Sequence, residues 1–277
     1  MQPVSPAPDT VSLSSSLSSP AQNAIAGVHE PLPQEVETAL WRGNELGGPV
    51  AQVLTTGFPQ LDDVLPGGGW PCGALTEVLV PQFSVSELRL LSKVMCWQTE
   101  KERTVALVGP PHAPHAPGLR HDRVDERHLV WIDVDSPRDR LWCTEQLVKA
   151  GTFGAVLSWL PLVRAEQIRR LQVLASRSKG PVFLCRPESA AREASAAPLR
   201  VVVRPHTDWQ LSLQVLKRKG SPLEEPVVLP SVPGGIGKIM TERMRYPSRL
   251  RPVEPSHAVV RVAAAPLRDR SKVASTS

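Results

Sequence analysis

Between residues 53 and 220 this chain alternates two hydrophobic periods, and that alternation narrows its fold more than any other feature. Short apolar runs at 75–80, 104–108, 129–134, 155–160, 181–185, 199–204 and 209–215 have strand length. Between them lie runs with helical spacing. At 84–100 Leu88, Leu91, Val94 and Met95 share a face, and at 165–177 Ile168, Leu171 and Leu174 point inward while Arg169, Arg170 and Arg177 point outward. A third helix is bounded by its own punctuation: Ser136 is an N-cap residue, Pro137 suits the first turn and Gly151 closes the run. Strands without polar alternation, separated by helices, predict a mostly parallel central sheet covered on both faces. The last two strands are joined only by a short turn around 205–208, which makes them an antiparallel edge pair.

The flanks read differently. Residues 1–33 are rich in Ser, Pro and Ala and are expected to be a disordered tail. A short helix is predicted over 34–47, with Val36, Leu40 and Trp41 on one side and Gly47-Gly48-Pro49 as its stop. Residues 221–277 hold prolines at 222, 226, 230, 233, 247, 252 and 255 and no durable period, so this segment is read as largely disordered. Net charge is +5, and from Lys238 onward nine Lys and Arg stand against three Asp and Glu. A basic tail on a near-neutral body suits DNA, an acidic partner surface or plain solubility. The four cysteines, Cys72, Cys96, Cys143 and Cys185, form no C-x-x-C pair, which points to reduced thiols rather than zinc ligands or a disulfide framework. No apolar run approaches the roughly 20 residues of a membrane span, and Met1 leads into Pro, Ser and Asp, so a cytoplasmic protein without a membrane partner is expected.

Several unusual motifs then recur in order. The stretch TGFPQLD at 56–62, followed by PGGGWPCGALTE at 66–77, resembles the segment of the RecA family that leads into its first core strand and phosphate loop. Lys217-Arg218-Lys219 is similar to the basic cluster that ends the RecA core. The chain resembles more closely the bacterial ImuA family, RecA-like proteins associated with translesion synthesis. That likeness is carried by LWRGN at 40–44, LPGGGWPCGALTE at 65–77, the Pro- and His-rich run at 108–119, EQLVK at 145–149, RRLQ at 169–172, AREASAAPLR at 191–200 and LKR at 216–218. The resemblance implies a RecA-like P-loop-type fold over 53–220. It also implies a role in SOS-induced mutagenesis with an ImuB-like, Y-family polymerase-related protein and RecA as partners, in support of an error-prone DnaE-type polymerase.

A working phosphate loop needs glycines that let N–H groups close on phosphates, a Lys for the β and γ oxygens, and a Ser or Thr hydroxyl for magnesium. Aligned on that pattern, the first glycine position carries Val80 and the second Val85, whose β-branching disfavours the loop geometry. The lysine position carries Ser86 and the magnesium position Glu87. Ser158 stands at the Walker B position that ends the strand 153–159, and Pro111 stands at the position of the catalytic glutamate. This degenerate nucleotide site predicts no ATPase activity, no catalytic residue, no cofactor and no metal. Ser84-Val85-Ser86-Glu87 also reads as an S-x-x-E capping box. The Ser84 hydroxyl would take the Glu87 N–H, and the Glu87 carboxylate would reach back to the Ser84 N–H. On that reading Glu87→Ala costs on the order of 0.5–1 kcal/mol.

Other constellations are weaker. His112 and His115 sit among Pro110, Pro111, Pro114 and Pro117, which predicts a surface loop rather than a helix aligning metal ligands. Lys217, Arg218 and Lys219 are candidates for contact with a partner or DNA, with a solvated strand end as the bland alternative. Leu40 and Trp41 could dock onto a RecA subunit or onto their own sheet. Two other functions fit a RecA-like chain: a SulA-like inhibitor of cell division, and an active RecA-class DNA-dependent ATPase.

Overall fold

The computed structural model describes residues 52–232 and 236–249. The tail 1–33, the 34–47 helix with Leu40 and Trp41, and the basic segment from residue 250 onward lie outside the described residues.

The strands are β1 (Val53–Leu54), β2 (Trp70–Pro71), β3 (Leu75–Val80), β4 (Val105–Val108), β5 (Leu129–Ile132), β6 (Ala155–Trp159), β7 (Val182–Pro187), β8 (Leu199–Pro205), β9 (Gln210–Lys217) and β10 (Val227–Pro230). The principal helices are α1 (Pro59–Asp62), α2 (Glu87–Glu100), α3 (Ala116–His121), α4 (Pro137–Ala150) and α5 (Ala165–Ala175). Eight strands form one sheet in the order β10-β9-β8-β3-β7-β6-β4-β5. From β8 to β5 all neighbours are parallel, whereas β9 and β10 run antiparallel at one edge. This is the mixed α/β architecture with a mostly parallel sheet that the two periods predict. Strand β3 lies between β7 and β8, so the chain leaves it for the far edge and later returns to both its sides. Where connections diverge in this way, a crevice opens outside the carboxyl ends of the strands.

Alternation along each strand sorts the core into two layers. Leu157 and Trp159 of β6 and Phe183 and Cys185 of β7 join Leu90, Leu91, Val94 and Met95 of α2. Val156 of β6 and Leu184 of β7 face the opposite way, toward Val148 of α4 and Ile168 and Leu171 of α5. A strand presents successive side chains to opposite faces, and both faces here are covered.

The stretch before β3 has a structural purpose. Asp62 accepts hydrogen bonds from the Thr55 hydroxyl (2.5 Å) and the Thr56 N–H (2.7 Å), closing the turn that sets α1. Pairing of β1 with β2 brings the Leu54 carbonyl against Gly69, where an added Cβ would lie 2.4 Å from that oxygen. Trp70 then meets Phe183 edge-to-face at 5.4 Å in the core. Helix α4 has its expected limits: Ser136 accepts from the Asp139 N–H, and Gly151 ends it with φ 65°.

Two differences from the sequence reading stand out. The sheet continues past residue 220, because Val227-Val228-Leu229 pairs with β9 and Leu229 is fully buried. Pro226 and Pro230 hid this strand, yet proline is tolerated on an edge. The Pro- and His-rich run also contains a helix, α3. Pro117 sits in its first turn, where its missing N–H costs nothing, and His115 Nδ1 accepts from the Gly118 N–H at 3.2 Å. No helix among the described residues is long and apolar enough to cross a membrane.

Candidate functional site

The loop that leaves the carboxyl end of β3 and enters α2 is built around a carboxylate. Val80 is buried in the core, Val85 is half-buried, and Ser86 and Glu87 are fully buried. Glu87 Oε1 accepts from the Ser84 N–H at 2.5 Å and from the indole N–H of Trp159 at 3.0 Å. Its Oε2 accepts from the Ser86 N–H at 3.2 Å. A helix N-terminus with exposed amide donors is a ready anion site. In this chain the anion is a side chain of the helix itself.

The capping box is formed in one half only. Glu87 reaches back to Ser84, but the N-cap residue is Ser86, whose own hydroxyl makes no capping bond and is buried without a partner among the described residues. Ser84 adopts φ 66° and so turns away from the helix start. The motif located the carboxylate correctly and misplaced the cap by two residues.

Strand β6 contributes a residue other than the one the alignment pointed to. Ser158 faces α4, where its hydroxyl shares a 2.9 Å hydrogen bond with Thr144 and is fully buried. Trp159, one residue on, faces α2 and reaches Glu87. Period-two alternation along 155–160 was the available signal, since only one of two adjacent residues can face the loop. Pro111 is exposed beyond β4. Cys185 pairs with Trp159 across β7 and β6. Burial, and then the nearby Glu87 carboxylate, push its thiol well above the usual range.

A second buried charge cluster crosses the opposite face of the sheet and was not picked out from the sequence. Glu77 of β3, fully buried, accepts from Arg186 Nη1 of β7 at 2.9 Å and from Arg200 Nε of β8. Arg186 also donates to Glu193 at 2.6 Å and to the Val163 carbonyl at 3.4 Å. Arg200 donates to the Ala190 carbonyl at 2.8 Å. Glu77 is thus shared by the two strands that flank the central one. Its sequence signals were an acid inside an apolar run and its place closing the PGGGWPCGALTE motif.

The basic cluster after β9 is engaged locally. Lys217 donates to the Ser195 carbonyl at 3.0 Å, and Arg218 donates to the carbonyls of Ser221 (2.7 Å) and Val64. Arg218 therefore ties the end of β9 to the turn after α1, and Lys219 also has a partner. Two clefts lie elsewhere. One, of about 610 Å³, lies between α2, α3 and the segment after β10, and the other, of about 590 Å³, lies at the starts of α4 and α5. Neither is lined by Val85, Ser86 or Glu87. Among the described residues no three His, Cys, Asp or Glu gather as a metal-ligand set.

Comparison with known proteins gives one distant likeness. The cell division inhibitor SulA of Photorhabdus laumondii subsp. laumondii is 24% identical to this chain over 108 residues, covering 30% of this chain and 61% of that protein. The chain thus spans less than two thirds of that relative's length. No protein-family model matches.

Proposed function

We propose that this chain is a RecA-like, non-catalytic protein of the SOS response that acts by binding other proteins without nucleotide. The observation that carries the reading is Glu87, whose carboxylate takes the amide donors a phosphate would need. An ATP phosphate arriving there would lose those donors and meet a like charge. The parallel sheet with β3 at its centre, the loop that follows it and the distant SulA likeness all fit a RecA-like core put to a role other than ATP hydrolysis. The ImuA resemblance supplies the partners. They are an ImuB-like polymerase-related protein and RecA, serving an error-prone DnaE-type polymerase in the cytoplasm.

The test is capture of purified RecA and of a purified ImuB-like protein by the full chain, with and without Mg-ATP. Capture of either one, unchanged by Mg-ATP, is the expected result. Failure to bind both would end the adaptor reading. The SulA likeness favours a second reading, direct inhibition of cell division. Overexpression without DNA damage separates the two, because filamentous cells support the inhibitor and normal division supports the adaptor.

A further inference from the structure

The geometry points to the cleft at the starts of α4 and α5 as a docking site for an acidic peptide segment of a partner protein, its carboxylates held by Arg138, Arg164 and Arg186. This inference rests on the reading that the chain works by binding proteins. The cleft opens at the carboxyl end of the sheet and has a volume of about 590 Å³. Arg138 is the second residue of α4, and Arg164 is the N-cap of α5. A cation at a helix N-terminus opposes the macrodipole. Two such cations lining one cleft are unfavourable unless an anion sits between them. Both side chains are exposed, and among the described residues neither makes an ion pair.

Arg186 provides an independent sign. It lies on the floor of the cleft with 1% of its side chain exposed, and its buried Nε–H has no acceptor among the described residues. A buried guanidinium donor without a partner is costly. The outer partner of Arg186 is Glu193, whose side chain is 55% exposed at the cleft wall. Glu193 therefore occupies the position an incoming carboxylate would take, and it can swing into solvent when displaced. The charge among the lining residues is three guanidinium groups against one carboxylate. The rest of the wall is Pro137, Leu141, Pro161, Leu162, Val163 and the one neutral polar residue Gln167, with Leu162 largely exposed at the rim. Apolar walls around cationic heads suit a peptide with carboxylates beside aliphatic side chains. Among the described residues no aromatic ring lines the cleft, so they offer no stacking platform of the kind single-stranded nucleic acid uses.

The experiment uses the full chain and a short fluorescein-labelled peptide of Leu alternating with Asp and Glu, read by anisotropy. The acidic peptide should bind, and its Asn/Gln counterpart should not. Binding should weaken as salt is raised. Arg138→Ala combined with Arg164→Ala should weaken it by about tenfold or more, and Glu193→Gln, which removes the internal competitor, should tighten it about threefold. No binding of the acidic peptide, wild-type affinity in the double variant, or weaker binding by Glu193→Gln overturns the assignment. Tighter binding of oligo(dT) that displaces the peptide also overturns it and gives the cleft to nucleic acid. If these arms fail while the chain still captures RecA or the ImuB-like protein, only the cleft assignment falls. If they succeed while capture fails, the cleft stands and the adaptor reading falls.

Discussion

Glu87 carries more of the fold than its motif suggested. A surface capping box would make Glu87→Ala a small loss, but the carboxylate is fully buried and accepts three N–H bonds, one of them from the indole of Trp159. Truncation leaves the Ser86 N–H and the Trp159 indole N–H buried and unpaired, so the expected cost is about 2–4 kcal/mol, read as a lower denaturant midpoint at unchanged slope. A change within the noise of the midpoint would mean that water replaces the carboxylate without loss. The S-x-x-E pattern made the bond to Ser84 legible. Burial and the indole contact were not, because they depend on β6 lying two strands away in the sheet. Cys185 gives a neighbouring test. Its thiol is fully buried and held far toward the protonated form, whereas Cys72 and Cys143 are half-buried. At neutral pH, thiol reagents should label Cys72 and Cys143 first and Cys185 only as fast as the chain unfolds. Early labelling of Cys185 would mean that the Glu87 region opens in the native state.

At the level of elements, the central strand is tied to both its neighbours through one carboxylate. Glu77 bridges Arg186 of β7 and Arg200 of β8 with almost no exposure of any of the three. Such a cluster adds little net stability over apolar packing, but breaking it strands buried charge. Glu77→Gln should therefore lower stability by about 3 kcal/mol or more, visible as a fall in Tm. A near-neutral result would show that Arg186 and Arg200 find other acceptors. The edge of the sheet is secured in another way. Arg89 of α2 donates to the carbonyls of Trp209 (2.7 Å) and Ser231, joining the β8–β9 turn to the end of β10. At the same turn Asp208, with φ 55°, accepts from the N–H (2.9 Å) and hydroxyl (2.5 Å) of Ser248. Those bonds hold the Asp208 carboxyl below its ordinary range. A depressed carboxyl contributes its stabilisation above its unfolded pKa and loses it as pH falls through the folded one. The protection of the Ser248 N–H, taken relative to its intrinsic exchange rate at each pH, should therefore fall in acid, and Asp208→Asn should flatten that dependence. A pH-independent protection pattern in the native chain would contradict it. The alternating periods made the parallel strands and α4 legible. They could not reveal β10, whose four residues begin beside one proline and end on another and which is recognised only by its pairing with β9.

For the whole molecule, the arrangement is a parallel sheet whose central loop is closed by its own carboxylate, with a cationic cleft at the neighbouring strand ends. That residues 80, 85, 86 and 87 depart from the phosphate-loop pattern was legible from residue types alone. The sequence did not show the cleft, because Arg138, Arg164 and Arg186 come from three segments that only the strand order brings together. Nor did it show that Lys217 and Arg218, candidates for contact with a partner or DNA, also bond to neighbouring loops. We propose that the Glu87 carboxylate stands where a nucleotide phosphate would otherwise bind. Titration of the full chain with a fluorescent ATP analogue, with and without magnesium, tests it most directly. No saturable binding is expected up to millimolar analogue, with or without magnesium. Magnesium-dependent binding in the micromolar range would contradict it.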